Sequence, residues 1–331
     1  MRSDPASALP RLFNDSATGL REVEGRISSR FESDSAVLSE VSSYLLALGG
    51  KRIRPILALS SARLFGMPKP STDLIDAAAG IELIHMATLL HDDIIDQSPL
   101  RRHQTSPYFK FGLPSTLLAG DFLLARAFGL CAHLDEFIVR ATETACVELT
   151  EGEIMEGTLS PETPRSLESY ITVVEKKTAS LFVLAAAVGS HLAGATDDDV
   201  SLMQSFGQNA GITFQMVDDI LDVTAEQDLL GKPTGTDLKQ KTPSLINLLW
   251  INSTDKRALD YLAQEFISEA EARELALSLR KSPIVSEAKA LAKSYADRAK
   301  NNLTELSSPA LASDVRESLF ALVDYTLERL N

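Results

Sequence analysis

The chain has 331 residues, 44% hydrophobic and 24% charged, so it carries apolar material for a sizeable core and lacks a disordered composition. Its net charge of −14, with no long Lys/Arg run, argues against nucleic acid as a partner. The two cysteines, Cys131 and Cys146, form no metal-type pair and read as reduced, buried thiols of a cytoplasmic protein.

The start, Met1 to Asn14, has no secretory pattern, and no apolar run reaches the roughly 18 residues of a membrane span. The nearest, Thr178 to Ala195, is interrupted by Ser180, Ser190 and His191 and reads as a core helix, so no transmembrane segment is expected. Apolar residues recur at three- and four-residue spacing through Val37–Leu48, Ile53–Phe65, Leu74–Ile95 and Pro114–Leu130. The spacing continues through Phe137–Met155, Leu167–Leu192, Asp198–Val223 and Pro243–Trp250, with amphipathic stretches from Asp255 to Leu330. Gly49-Gly50 closes one helix and Pro55 sits in the first turn of the next. Loops fall at Gly66–Pro70, Gln97–Pro107 and Ser160–Pro164, and Asp73 and Asp197 are the predicted N-caps. The pattern predicts an all-α fold: one large helical bundle around a central cavity, a single domain over 1–331. The motif-bearing core covers about 37–250 and C-terminal helices fill 251–331.

One phrase occurs twice: Leu90-His91-Asp92-Asp93-Ile94-Ile95-Asp96 echoes Met216-Val217-Asp218-Asp219-Ile220-Leu221-Asp222. The interval is too irregular for a solenoid. On a helix Asp92 and Asp96 share a face, as do Asp218 and Asp222, with Asp93 and Asp219 turned aside. Three carboxylates crowded at the C-terminal end of an apolar helix repel one another and the helix dipole. One such cluster reads equally as a solvated helix end. Two matching clusters call for a shared counter-charge, and Mg2+, which bridges carboxylates to phosphate oxygens, supplies one.

Cations stand near both clusters. Gly49-Gly50-Lys51-Arg52-Ile53-Arg54-Pro55 opens a helix, where free N–H groups and basic side chains suit an anion; Lys51 and Arg54 can share a face and Arg52 cannot easily join them. Arg101-Arg102 follow the first cluster, Lys176-Lys177-Thr178 interrupt an apolar helix, and Lys232 and Lys241 flank a Gly/Thr-rich loop after the second. Singly, each is an ordinary surface charge. Gly231-Lys232-Pro233-Thr234-Gly235 lacks the strand and glycine spacing of a P-loop.

In these residues the chain resembles the trans-isoprenyl diphosphate synthases, or polyprenyl synthetases, from about Gly49 to Ser244. The matching phrases are Gly-Gly-Lys-Arg-x-Arg-Pro, Asp92–Asp96 with Leu100-Arg101-Arg102, Lys177-Thr178, Gln215–Asp222 and the Lys232–Lys241 segment. The family often has Gly after the paired arginines, where this chain has His103. The resemblance implies the isoprenoid synthase fold, a homodimer, and a reaction joining an allylic diphosphate to isopentenyl diphosphate. In that reading Asp92, Asp96 and Asp218 hold Mg2+, with Asp93, Asp219 and Asp222 supporting. Arg101, Lys177, Gln215, Lys232 and Lys241 contact the allylic diphosphate, and Thr178 screens the carbocation. Lys51, Arg54, His85 and Arg102 take isopentenyl diphosphate. His85, seven residues before Asp92 on the same face, would alone read as a core histidine.

Ala87 and Thr88, five and four residues before Asp92, are small, with Ile84 and Ile81 a turn deeper. In the family bulky aromatics there stop growth early, so the resemblance implies a product longer than geranylgeranyl, unless Phe122, Phe128 or Met155 blocks the path. A geranylgeranyl or farnesyl diphosphate synthase is the alternative. A terpene cyclase, an HD-type phosphohydrolase built on His91-Asp92 and a non-catalytic partner subunit fit the second cluster less well.

Overall fold

The computed structural model describes residues 5–158, 166–225 and 234–330. The predicted loop at Ser160–Pro164 and the side chain of Lys232 lie outside them. The described residues are mainly helical, with two two-residue strands, as the spacing predicts. It divides into two compact units, each gathered from three stretches.

The first unit comprises Met1–Cys146, Leu181–Gly207 and Asn302–Ala321. It contains α1 (Pro5–Ser29), α2 (Ala36–Ala47), α3 (Ile53–Leu64), α4 (Thr72–Ile95), α5 (Pro107–Phe111), α6 (Leu113–Cys131) and the start of α7 (Glu136–Thr158). α4 is its core helix, buried almost all round from Leu74 to Ala87. Two glycines let α4 and α6 approach closely. A Cβ at Gly80 of α4 would meet Cys131 Sγ at 2.9 Å, and one at Gly120 of α6 would meet His91 Nε2 at 2.2 Å. The N-cap of α4 is Ser71, whose hydroxyl accepts from Leu74 N at 3.1 Å. Asp73, the predicted cap, stands inside the first turn, where its charge still suits the dipole.

The second unit comprises Val147–Ser180, Gln208–Asn301 and Leu322–Asn331. The helix predicted over Leu167–Leu192 is three pieces: α8 (Leu167–Val174), a π-helical turn at Glu175–Ala179, and α9 (Ser180–Leu192), whose remainder belongs to the first unit. α10 runs Asp197–Thr224, its first half in the first unit. Its N-terminal turn is capped by Thr196, whose Oγ1 accepts from Asp199 N at 3.2 Å, rather than by Asp197. Short helices follow, α11 (Thr236–Gln240), α12 (Leu245–Ile251), α13 (Arg257–Ala263) and α14 (Glu269–Leu279), then α15 (Pro283–Glu305) and α16 (Ser313–Glu328). The core of this unit is built on Met216, Val217, Ile220, Leu245, Trp250 and Tyr261.

By length and composition α4 and α6 could each cross a membrane. α4 is buried inside the protein, whereas α6 leaves Leu113, Leu117, Leu118 and Phe128 exposed.

Candidate active site

In the first unit, α4 ends at the first aspartate cluster. Asp92 is part-buried, Asp96 is exposed as the C-cap, and Asp93 is fully buried. Asp93 Oδ1 accepts from Arg101 Nε at 2.8 Å and Nη2 at 2.7 Å, while Oδ2 has no hydrogen-bond partner. Burial raises the Asp93 pKa, and Arg101 pulls it partly back. Asp93, expected to support the metal ligands, holds Arg101 through one carboxylate oxygen.

Arg101 lies on a minimal hairpin, Leu100–Arg101 against Gln104–Thr105. The two loop residues, Arg102 and His103, have φ of 52° and 64°. Both are left-handed, as two-residue hairpins require, so the glycine usual after the paired arginines has a conformational reason and His103 bears strain there.

A cation cluster stands beside this hairpin. Arg52 is buried and paired with Glu82 at 2.9 Å, so it is structural, in keeping with its exclusion from the Lys51/Arg54 face. Arg54 is part-buried with its guanidinium over the Phe182 ring at 5.0 Å, and Lys51 is exposed. The His85 pKa is lowered well below the usual value, first by burial and then by Arg54, Arg101, Arg102 and Arg52. The fold therefore gathers Arg54, His85, Arg101 and Arg102 into one neighbourhood and keeps the imidazole neutral. His85 must charge when the chain unfolds in acid, so its neutral state favours the fold above about pH 6.5 and that advantage is lost as pH falls below it. Unfolding free energy of His85→Gln should accordingly fall less steeply than wild type between about pH 6.5 and 5 in urea titrations.

On α4, Ile81, Ile84 and Ala87 are fully buried; Thr88 is part-buried, its Oγ1 donating to His85 O at 2.8 Å. Ala87 shares a face with His91, which packs on Gly120 of α6, and Thr88 shares a face with Asp92. Of the alternative blockers in this unit, Phe128 is exposed and Phe122 lies under Arg126.

In the second unit the first two aspartates divide as Asp92 and Asp93 do, whereas the third, Asp222, is buried where Asp96 is exposed. Asp218 is the outermost, with Arg329 Nη2 at 2.8 Å. Asp219 is buried: Tyr170 Oη and Leu245 N each donate to Oδ2 at 2.8 Å, and Gln215 Nε2 to Oδ1 at 2.8 Å. Burial lifts its pKa to about 6 against the pull of these donors. Asp222 is buried and its Oδ2 accepts from Asp237 N at 3.1 Å, anchoring α11.

Thr178 Oγ1 donates to Gln215 Oε1 at 2.8 Å, so a chain runs Thr178–Gln215–Asp219–Tyr170. This chain orients the Gln215 amide and commits the Thr178 hydroxyl proton, leaving that oxygen's lone pairs available. Lys177 and Thr178 lie on the π turn, a feature frequent at functional sites. Gly152 of α7 makes room for it: a Cβ there would stand 2.6 Å from Lys177 N. Lys177 is paired with Glu153 at 2.7 Å and with Glu156, and Lys176 with Glu151. Lys241 Nζ donates to the carbonyls of Leu262 and Gln264 and lies over the Tyr261 ring, so it is held by backbone oxygens.

The sequence reading missed Glu82, Gly152, Tyr170 and Arg329. Only Gly152, a glycine amid four glutamates within a helical stretch, carried a local signal. Among the described residues no three carboxylate, imidazole or thiol groups gather closely enough to hold a metal by themselves. Mg2+ characteristically takes one or two carboxylates and completes its octahedron with water and phosphate oxygens. The part-buried Asp92 and exposed Asp96, one turn apart at the negative end of α4, fit that need.

Comparison with known proteins gives a consistent picture. The profile of the polyprenyl synthetase family matches residues 35–278. A nonaprenyl diphosphate synthase of Mycobacterium tuberculosis is 35% identical over 94% of this chain and 92% of its own length. A geranylgeranyl diphosphate synthase of Sulfolobus acidocaldarius is 34% identical over 96% and 97%. The crystal structure of a polyprenyl synthase from Caulobacter crescentus, complexed with calcium and isoprenyl diphosphate, superposes with a TM-score of 0.90 at 31% identity, covering 98% of both chains.

Proposed function

The chain belongs to the polyprenyl synthetase family and is a prenyl diphosphate synthase, and from that premise we propose that it uses Mg2+ to condense an allylic diphosphate with isopentenyl diphosphate into a trans-polyprenyl diphosphate longer than geranylgeranyl. The fold is the all-helical isoprenoid synthase fold of its structural neighbours. The family match crosses both compact units, which supports a single polyprenyl synthetase domain over 1–331.

The observation that carries the reading is the carboxylate pair Asp92/Asp96 on the same unit as a guanidinium cluster around a neutral His85. Asp92, Asp96 and Asp218 would hold the metal, which when bound neutralises the diphosphate and favours its departure. Asp93, Asp219 and Asp222 act behind them by fixing Arg101, Gln215 and α11. Arg101, Lys177, Gln215, Lys232 and Lys241 are assigned to the allylic diphosphate. For Lys177 and Lys241 this requires exchange of the carboxylate and carbonyl partners they hold here.

In the reaction the C1–O bond of the allylic substrate breaks and its electron pair leaves with the diphosphate. The double bond of isopentenyl diphosphate attacks that cation and leaves a tertiary cation, and the carbon on its far side from the new bond gives a proton to the departing diphosphate as the double bond re-forms. Thr178, its own proton committed to Gln215, turns oxygen lone pairs on the cation. Lys51, Arg54, His85 and Arg102 orient isopentenyl diphosphate, His85 as a neutral donor.

Small Ala87 and Thr88 support the long product; the geranylgeranyl diphosphate synthase at 34% identity supports the shorter alternative. The exposed apolar residues of α6 support a homodimer. Incubation with Mg2+, isopentenyl diphosphate and farnesyl diphosphate should give elongated diphosphates. Hydrocarbon alone would indicate a cyclase, inorganic phosphate alone a hydrolase, and no product a non-catalytic partner subunit.

A further inference from the structure

One buried carboxylate in the first unit lies under a group of guanidiniums. Glu82 of α4 is 3% exposed, and its Oε1 accepts from Arg52 Nη1 at 2.9 Å. Arg52 is 8% exposed, has φ of 50° and also meets Glu24 of α1 at 3.3 Å. Two residues earlier, Gly50 has φ of 151°, a conformation that suits glycine alone. A Cβ built on Gly50 would stand 3.0 Å from both Nη atoms of Arg102 and 3.1 Å from Arg52 Nη1. The Arg102 guanidinium therefore rests on the bare backbone of Gly50, beside a second guanidinium.

That arrangement is unfavourable by itself, because like charges in partial burial repel. Glu82 is the opposing charge. Desolvation, Arg101 and Arg52 all disfavour the Arg102 cation, and Glu82 favours it. Glu82 is in turn raised by burial and steadied by Arg52, Arg54 and Arg102. An unpaired carboxylate here would repel an incoming diphosphate. Paired with Arg52, it holds the Arg52 and Arg102 guanidiniums side by side against Gly50.

We infer that Glu82 and Gly50 are positioning residues, which with Arg52 form a seat holding the Arg102 guanidinium for the diphosphate of isopentenyl diphosphate. The inference rests on the assignment of Arg102 to that substrate. Calorimetric Kd for isopentenyl diphosphate and KM for both substrates, measured on full-length protein, test it. Arg102→Ala, Glu82→Gln and Gly50→Ala are each expected to raise Kd and KM for isopentenyl diphosphate about tenfold or more, with the allylic KM within about twofold of wild type. Glu82→Gln added to Arg102→Ala should weaken binding no further, which separates a seat for Arg102 from general loss of structure. Should Glu82→Gln fail to fold, Gly50→Ala, in the segment between α2 and α3, decides. Unchanged binding in Arg102→Ala refutes the substrate assignment. Weakened binding in Arg102→Ala with unchanged binding in Gly50→Ala and in folded Glu82→Gln refutes the seat and leaves the assignment standing.

Discussion

Asp92→Ala is expected to lower kcat/KM for condensation by about 10²–10³-fold, equivalent to about 3–4 kcal/mol of transition-state stabilisation. The loss follows if the charge developing on the departing diphosphate is met through this carboxylate and no neighbour replaces it. Asp218→Ala should behave alike. Asp93→Asn is the informative contrast. Asp93 is buried and spends one oxygen on two bonds from Arg101, so its removal breaks a largely buried ion pair, a change that costs about 3–5 kcal/mol when both partners are fully enclosed. Arg101 is one-fifth exposed, which reduces that figure. The Mg2+ concentration for half-maximal rate should therefore rise in Asp92→Ala and Asp96→Ala. In Asp93→Asn it should stay near wild type while Tm falls. An Asp92→Ala enzyme within threefold of wild type, or with unaltered metal dependence, would remove Asp92 from the metal site.

The division of labour within each cluster marks what a sequence carries and what it does not. Spacing alone turned Asp93 and Asp219 aside from their neighbours, because helix periodicity is local. That Asp93 meets Arg101 and Asp219 meets Tyr170 is tertiary, and nothing near Tyr170 in the sequence announces it. α3, α4 and α10, which bear motifs, and α6, which packs on α4, lie within two residues of their predicted limits since apolar periodicity governs them. The break inside Leu167–Leu192 was legible only as Lys-Lys-Thr in an apolar run. Its π geometry depends on Gly152, on another helix, clearing space for the backbone of Lys177. α1 was missed because Leu12, Val23 and Ile27 are sparse among polar residues, and packing on α3 and α4 supplies what propensity lacks. The hairpin at Leu100–Thr105 has two residues per strand, too few for any period to register.

Phenylalanine at Ala87 or Thr88 is expected to shorten the product by several isoprene units, read by chromatography of the dephosphorylated alcohols. The two positions test different parts of the same idea. Thr88 is part-buried on the face of Asp92, one turn before it, so an aromatic ring there leans back from the carboxylates along α4 with little strain. Ala87 is fully buried on the face of His91, which packs against α6, and forcing a ring into a filled core costs about 1–3 kcal/mol. If the growing chain occupies the space beside Ala87, Ala87→Phe takes that space, Tm is nearly kept and the product shortens. If that space is protein, Tm drops by several degrees and length is unchanged, while Thr88→Phe still shortens it. The complementary change, Ile84→Ala, removes a fully buried side chain one turn deeper and should lengthen the product if the tail reaches it. Active Ala87→Phe and Thr88→Phe enzymes that both yield the wild-type alcohol would show that α4 does not measure the chain.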